Sequence, residues 1–351
     1  MNGKKVYLDG ISTALAPTEV TQERAAAFLG ESYAGRLRPG SLRLLGKVLS
    51  HPSVRKRRFA FASPAELVDE DPDARAARFT RWAVGLSAKA AAGALRRSGL
   101  APGDVGALVL NTCTGYICPG VSTYLHDELG LPRSVPSYDL VGSGCGGAVP
   151  NLQLARALAC AGGGPALSVS VEICSATFQM GDDPGLLVSN AIFGDGAAAA
   201  VVSPRPSGFE LVASASRFAQ EYREDIRFVH RNGQLHNQLS ARLPGLAAAA
   251  AGELTESLLG GLGLRAADVR RWALHPGGEN VLNAVRDRLA LDEEELRFSR
   301  RVLAGSGNMS SATVWFVLDE MEREGIAPGE LVMMLAFGAG LSAHAYLLRK
   351  A

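Results

Sequence analysis

At 351 residues, 47% hydrophobic and 20% charged, the chain can bury a large core, and its length fits two domains or one duplicated unit. Thirty-six basic residues against 35 acidic ones leave a formal charge of +1, which excludes a global field recruiting nucleic acid or an anionic membrane. The opening MNGKKVYLDG carries a basic pair with no apolar stretch behind it, and no run nears the roughly 20 apolar residues that span a bilayer. A cytoplasmic protein with small-molecule partners and no membrane insertion is expected.

In chain order, apolar runs bounded by glycine or proline predict buried strands over 105–110, 166–173, 197–202 and 331–336, with a further strand over 134–141. Alanine- and leucine-rich stretches over 82–97 and 152–161 predict helices between them, so the fold class is α/β. The more polar region 205–242, headed by Pro204 and Pro206, separates two similar halves, which places a boundary between 1–204 and 205–351. In the first half Gly144-Cys145-Gly146-Gly147-Ala148 opens a helix, and in the second Gly307-Asn308-Met309-Ser310 opens another. Each is followed by an FGxG segment leading into a strand: Phe193-Gly194-Asp195-Gly196 and Phe337-Gly338-Ala339-Gly340. The repetition predicts an internal duplication.

The five cysteines, Cys113, Cys118, Cys145, Cys160 and Cys174, are odd in number and include no CxxC pair, which predicts reduced thiols and no metal site. Gly142-Ser143-Gly144-Cys145-Gly146-Gly147 matches the dinucleotide fingerprint, and Glu172 lies at about the distance of a ribose-binding acid. A pyrophosphate there would sit beside a cysteine whose thiolate the helix terminus favours, so a nucleophile is the better reading. Cys145 at such a terminus, next to an imidazolium, predicts a thiolate at neutral pH. His275-Pro276-Gly277-Gly278 ends the short run 271–274 and would hold an imidazole at a strand end. Asn308 reads either as an ordinary helix N-cap or as a neutral donor to an oxyanion, alongside His275.

The segments GSGCGGAVPNLQLA, LHPGGENVL and GNMSSATVWFVLDEM together resemble the type III polyketide synthases, the chalcone and stilbene synthase superfamily, over nearly the whole chain. Supporting segments are Asn111 to Gly115 with Pro119-Gly120, Val171 to Phe178, and Phe193 to Ala198. The resemblance implies a thiolase-like αβαβα layered fold built from two pseudo-duplicated halves, a homodimer, and a Cys-His-Asn triad at Cys145, His275 and Asn308. It implies acyl-CoA and malonyl-CoA as substrates and no metal or redox cofactor. It places Phe178 between the coenzyme A tunnel and the cavity, a second gatekeeper at His236 or Asn237, Cys113 and Thr114 along the cavity, and Cys118 where one protomer reaches its partner's cavity. Phe337 and Gly338 correspond to a cavity-floor loop, here without its usual first glycine and proline. Lys47, Arg55 and Arg58 lie where coenzyme A phosphates are held.

The absence of an aromatic at 236 and 237, with a small Cys118, points to a roomy cavity, a fatty acyl starter, and alkylpyrone or alkylresorcinol products. A β-ketoacyl-ACP synthase III shares the fold and triad types, but the HPGG context favours the polyketide synthase. A noncatalytic dimerisation partner would not need all three triad residues.

Overall fold

The computed structural model describes residues 5–351. In chain order the strands are β1 (Tyr7–Leu15), β2 (Thr18–Thr21), β3 (Lys56–Phe59), β4 (Ala107–Asn111), β5 (Ser137–Leu140), β6 (Ala166–Ile173), β7 (Asp195–Ser203), β8 (Phe209–Phe218), β9 (Ile226–Arg231), β10 (Gln234–Leu239), β11 (Arg271–Leu274), β12 (Leu331–Gly338) and β13 (Ser342–Lys350). The helices are α1 (Gln22–Tyr33), α2 (Pro39–Leu49), α3 (Ala65–Val68), α4 (Pro72–Ser98), α5 (Val121–Leu129), α6 (Ala148–Cys160), α7 (Pro184–Ile192), α8 (Leu243–Gly260), α9 (Glu279–Leu289), α10 (Arg297–Ser306) and α11 (Thr313–Glu324). None is long and apolar enough to cross a membrane.

Nine strands run in the order β11-β12-β13-β8-β1-β7-β6-β4-β5. The duplication is visible in the pairing. In the first half β4 and β6 are parallel, while β6–β7 and β7–β1 are antiparallel. In the second half β11 and β12 are parallel, while β12–β13 and β13–β8 are antiparallel. The halves meet edge to edge at Tyr7–Glu210 and Leu8–Phe209. The chain passes from one to the other between β7, ending at Ser203, and β8, starting at Phe209.

The layers follow from side-chain alternation along buried strands. Along β7, Ala198, Ala200 and Val202 face a central core with α6 and α11, while Ala197, Ala199 and Val201 face a second core under α4 and α5. Along β12, Val332, Met334 and Ala336 face the central core, and Met333 and Leu335 face a third under α8 and α9. Small residues on α4 permit close approach to the sheet. An added Cβ at Gly93 would stand 2.2 Å from Ser12 Oγ. The ends of α4 are set by sequence: Asp71 accepts from the Ala74 N–H, Pro72 occupies the first turn, and Gly99 closes the helix at φ +66.

Three local expectations change. The predicted strand 134–141 shortens to β5, at the sheet edge beyond Pro136. The helix expected to open at Cys145 begins only at Ala148, because residues 144–146 form a 3₁₀ turn entered through Gly144 at φ +55. The helix expected from Met309 begins at Thr313, after a 3₁₀ turn over 310–312 in which Ser310 has φ +48. The polar region 205–242 supplies β8 and the β9–β10 hairpin. The hairpin turns at Asn232-Gly233, both at positive φ, as a tight two-residue turn requires.

Candidate active site

The two 3₁₀ turns, one after β5 and one between α10 and α11, pack against each other, bringing Cys145 to Ser310 and Asn308. Positive φ at Gly142 and Gly144 turns the chain back on itself after β5, which only glycine does without strain. Gly146 cannot be enlarged: a Cβ would stand 2.8 Å from the His344 ring and 3.0 Å from the Gly338 Cα. Gly146→Ala is therefore expected to displace the Cys145 turn and slow acylation of Cys145 by about 10²-fold, the cost of misplacing a reacting group by about 1 Å. Stopped-flow release of free coenzyme A tests this. Wild-type acylation by the variant would contradict the role given to this contact.

Asn308 is not the cap of α11. Its Oδ1 accepts from the Ser310 N–H (2.8 Å) and from Thr313 Oγ1 (3.3 Å), which fixes the amide orientation. Its Nδ2 then faces the Gly277 carbonyl at 3.4 Å and the Cys145 thiol. The backbone is pinned as well: Asn308 N–H donates to the Ile192 carbonyl, and the Asn308 carbonyl accepts from Gly194 N–H, joining the turn between α10 and α11 to the chain between α7 and β7.

His275 extends β11 by one step, its N–H donating to Leu335 O at 2.8 Å, and the turn closes through Gly277 N–H to the His275 carbonyl. The residue is 1% exposed, yet neither ring nitrogen has a hydrogen-bond partner among the described residues. Orphaned buried nitrogens are costly in a purely structural histidine. Burial pushes its pKa down to about 3, so it is neutral near pH 7. Burial pushes the Cys145 thiol up to about 12, against the pull of hydrogen bonds from Ser310 and Asn308. A free-standing thiolate is thus not what this environment supplies, and the expected thiolate would depend on pairing with a protonated imidazole. The site resists charge on either group alone.

Beneath the site lies Glu172, fully buried at the end of β6. It accepts from the Cys113 N–H (3.0 Å), Thr114 Oγ1 (2.9 Å) and Ser311 Oγ, and burial raises its pKa. Held this way it has no route to a ribose, which closes the dinucleotide reading. Cys113 Sγ stands 3.2 Å from Ser310 Oγ, so one hydroxyl serves both Cys113 and Cys145.

Cys145 opens on a cavity of about 380 Å³. Of the expected residues, Cys113, Thr114 and Phe178 line it, and of the two expected gatekeeper positions Asn237 lines it and His236 does not. His275 and Asn308 stand behind its wall, both 1% exposed. The remaining expected residues lie outside this cavity. Phe337 packs into the core under α8 and α9. Gly338 backs the Cys145 turn, and Ala339 is the residue of that loop which reaches the cavity. Cys118 is exposed and does not line the cavity of its own protomer, because its loop points outward beside exposed Tyr116. Lys47 and Arg55 are exposed and Arg58 is held by Glu19 at 2.7 Å; none of the three lines the cavity, whose basic residues are Arg24, Arg57 and Arg227.

Ser310, Cys174 and Phe228 also line the cavity and escaped the sequence reading. Phe228 faces Asn237 across the β9–β10 ladder, so the aromatic absent from one strand stands on its neighbour. Hairpin alternation after the Asn-Gly turn could have found it.

Comparison with known proteins follows the same line. Residues 3–217 match the family described as FAE1/Type III polyketide synthase-like protein, and residues 210–351 match chalcone and stilbene synthases, C-terminal domain. A 1,3,6,8-tetrahydroxynaphthalene synthase of Streptomyces peucetius subsp. caesius is 33% identical over 97% of this chain and 92% of its own length. A bisdemethoxycurcumin synthase of Oryza sativa subsp. japonica is 35% identical over 81% of this chain and 76% of its own. The crystal structure of 1,3,6,8-tetrahydroxynaphthalene synthase from Streptomyces coelicolor A3(2) superposes with a TM-score of 0.89 at 26% identity, covering 98% of this chain and 99% of that one. With a duplicated thiolase-like fold, and with family matches that together run from residue 3 to the last, the chain belongs to the type III polyketide synthases of the chalcone and stilbene synthase family.

Proposed function

We propose that Cys145, His275 and Asn308 carry out acyl loading and decarboxylative condensation with malonyl-CoA. The observation that supports it best is the Asn308 amide, held between the Cys145 thiol and the Gly277 turn beside His275. In loading, His275 takes the Cys145 proton as the sulfur attacks the starter thioester; the coenzyme A thiolate leaves and recovers a proton. Malonyl-CoA then loses CO2, and the electron pair of the broken C–C bond passes to the thioester oxygen as an enolate. Neutral N–H donors from His275 and Asn308 meet that charge as it develops. The enolate carbon attacks the acyl carbonyl and expels the Cys145 thiolate. No step requires a metal or redox cofactor. Asn308→Ala is expected to lower malonyl-CoA decarboxylation by about 10²-fold, the effect of removing one oxyanion donor, as read by 14CO2 release. Unchanged release would remove Asn308 from the mechanism.

The starter we assign is a linear acyl-CoA. Part of the cavity wall is an apolar arm formed by Ala25, Phe28, Leu29, Phe59, Phe61 and Leu67, which cluster with Phe178. An alkyl chain would be desolvated along its length there, at roughly 0.8 kcal/mol per buried methylene. Alkylpyrones or alkylresorcinols would be the products. Hexanoyl- and lauroyl-CoA should show kcat/KM at least equal to that of coumaroyl-CoA. Ala25→Phe, which fills the arm, should reduce lauroyl use about 10-fold relative to hexanoyl. A preference for the aromatic starter, or no change of chain-length profile in the variant, would overturn the assignment.

A homodimer in the reducing cytoplasm completes the proposal. It is supported by the edge strand β5 with its exposed Tyr138, the neighbouring exposed Val141, and five free thiols.

A further inference from the structure

A second chamber of about 210 Å³ adjoins the catalytic cavity, and Thr114 and Thr177 line both. Its walls come from the first turns of α4 and from the β9–β10 hairpin, and they include Arg75, Phe79, Gln179, His230 and Gln234. Arg75 is only 5% exposed, and the neighbouring Arg78 only 4%. Neither guanidinium forms an ion pair among the described residues. Arg75 Nε donates to the Asp69 carbonyl (2.6 Å) and Nη1 to Gln234 Oε1 (3.0 Å), while Arg78 donates to the carbonyls of Glu66 and Ser175. The nearby carboxylate of Glu70 pairs instead with Arg36. A guanidinium has five N–H donors, and Arg75 uses two of them here.

Burying a charge without a counter-charge costs several kcal/mol, and two like charges side by side add repulsion. Burial, and after it the Arg78 charge, push the Arg75 pKa down against the weaker opposing pull of Glu70, Tyr33 and Asp69, none of which forms a direct ion pair with Arg75. An anion entering the chamber would give Arg75 the direct ion pair it lacks among the described residues. Planar N–H pairs match a carboxylate best.

We propose that this chamber is a carboxylate-binding subsite of the catalytic cavity. It takes the free carboxylate of an acyl chain whose tail lies in the main cavity, and it rests on the reading of that cavity as an acyl site. Two sources share this chemistry: a released β-keto or fatty acid, and a starter that carries a terminal carboxylate.

Laurate and dodecanol are the first probes, since they share a tail and differ in the anion. Laurate should inhibit condensation at a concentration at least 10-fold lower than dodecanol. Arg75→Gln should erase that difference, and Arg75→Lys, which keeps the charge, should retain most of it. Equal potency of the two probes on the wild type, or an undiminished preference in Arg75→Gln, would overturn the proposal. If neither probe inhibits, the acyl arm is what fails, and butyrate then judges the chamber alone. It should raise the Tm of the wild type and not that of Arg75→Gln, and no rise in the wild type would end the proposal. Comparison of succinyl-CoA with butyryl-CoA as starters separates the sources. A loss of succinyl-CoA use in Arg75→Gln points to carboxylated starters, and no selective loss points to released acids.

Discussion

His275→Ala is expected to lower the rate of Cys145 alkylation by iodoacetamide at pH 7 by about 10³-fold or more. A buried thiol whose pKa stands near 12 is almost wholly protonated at neutral pH, so its reactivity depends on a neighbour that accepts the proton. In the proposed pair the imidazole is that neighbour. Taken alone, it gains a proton only near pH 3, and taken alone, the thiol loses its own only near pH 12. Between those limits the pair holds one proton, whichever member carries it, and its titration belongs to the pair rather than to either residue.

Cys145 alkylation in the wild type should therefore be nearly flat between about pH 5 and pH 9, because the proton content of the pair does not change there. His275→Ala removes the internal acceptor, so the residual rate should climb about tenfold per pH unit as hydroxide does the work. Cys113 and Cys174, whose thiols burial also pushes well upward, should show that steep dependence already in the wild type. Peptide mapping after timed labelling reads each cysteine separately. A sigmoid for Cys145 centred in the ordinary thiol range would refute the pairing with His275.

The sequence carried the layered α/β architecture because strands buried on both faces read as unbroken apolar runs. β6, Ala166–Ile173, coincides with the expected run, and β11 follows 271–274. The duplication was legible from two glycine-bounded turns and two FGxG segments, and the strand pairing repeats it. Cys145, His275 and Asn308 stood out by turn chemistry: glycines, a proline and a helix start mark positions where backbone geometry is constrained.

What lay hidden depends on long-range packing. Helix starts were misplaced at Cys145 and Asn308 because tertiary contact between two 3₁₀ turns overrides local capping. Phe337 looked like a cavity residue from motif position alone, but strand alternation sends it to the opposite face, away from the cavity. Phe228 contributes only through its cross-strand partner Asn237, and a ladder register cannot be read until the hairpin turn is placed. Burial, which no local pattern reports, pushes the Cys145 thiol up to about 12 and so makes its ionisation depend on a neighbouring proton acceptor.

Cys145→Ala tests the central claim most directly, because it removes the acyl carrier and leaves the proposed enolate donors in place. Intact-mass spectrometry after incubation with lauroyl- or hexanoyl-CoA should show a single acyl adduct on the wild type and none on the variant. Condensation by the variant should fall below detection while slow malonyl-CoA decarboxylation persists through His275 and Asn308. An acyl adduct of undiminished yield on Cys145→Ala would contradict the account.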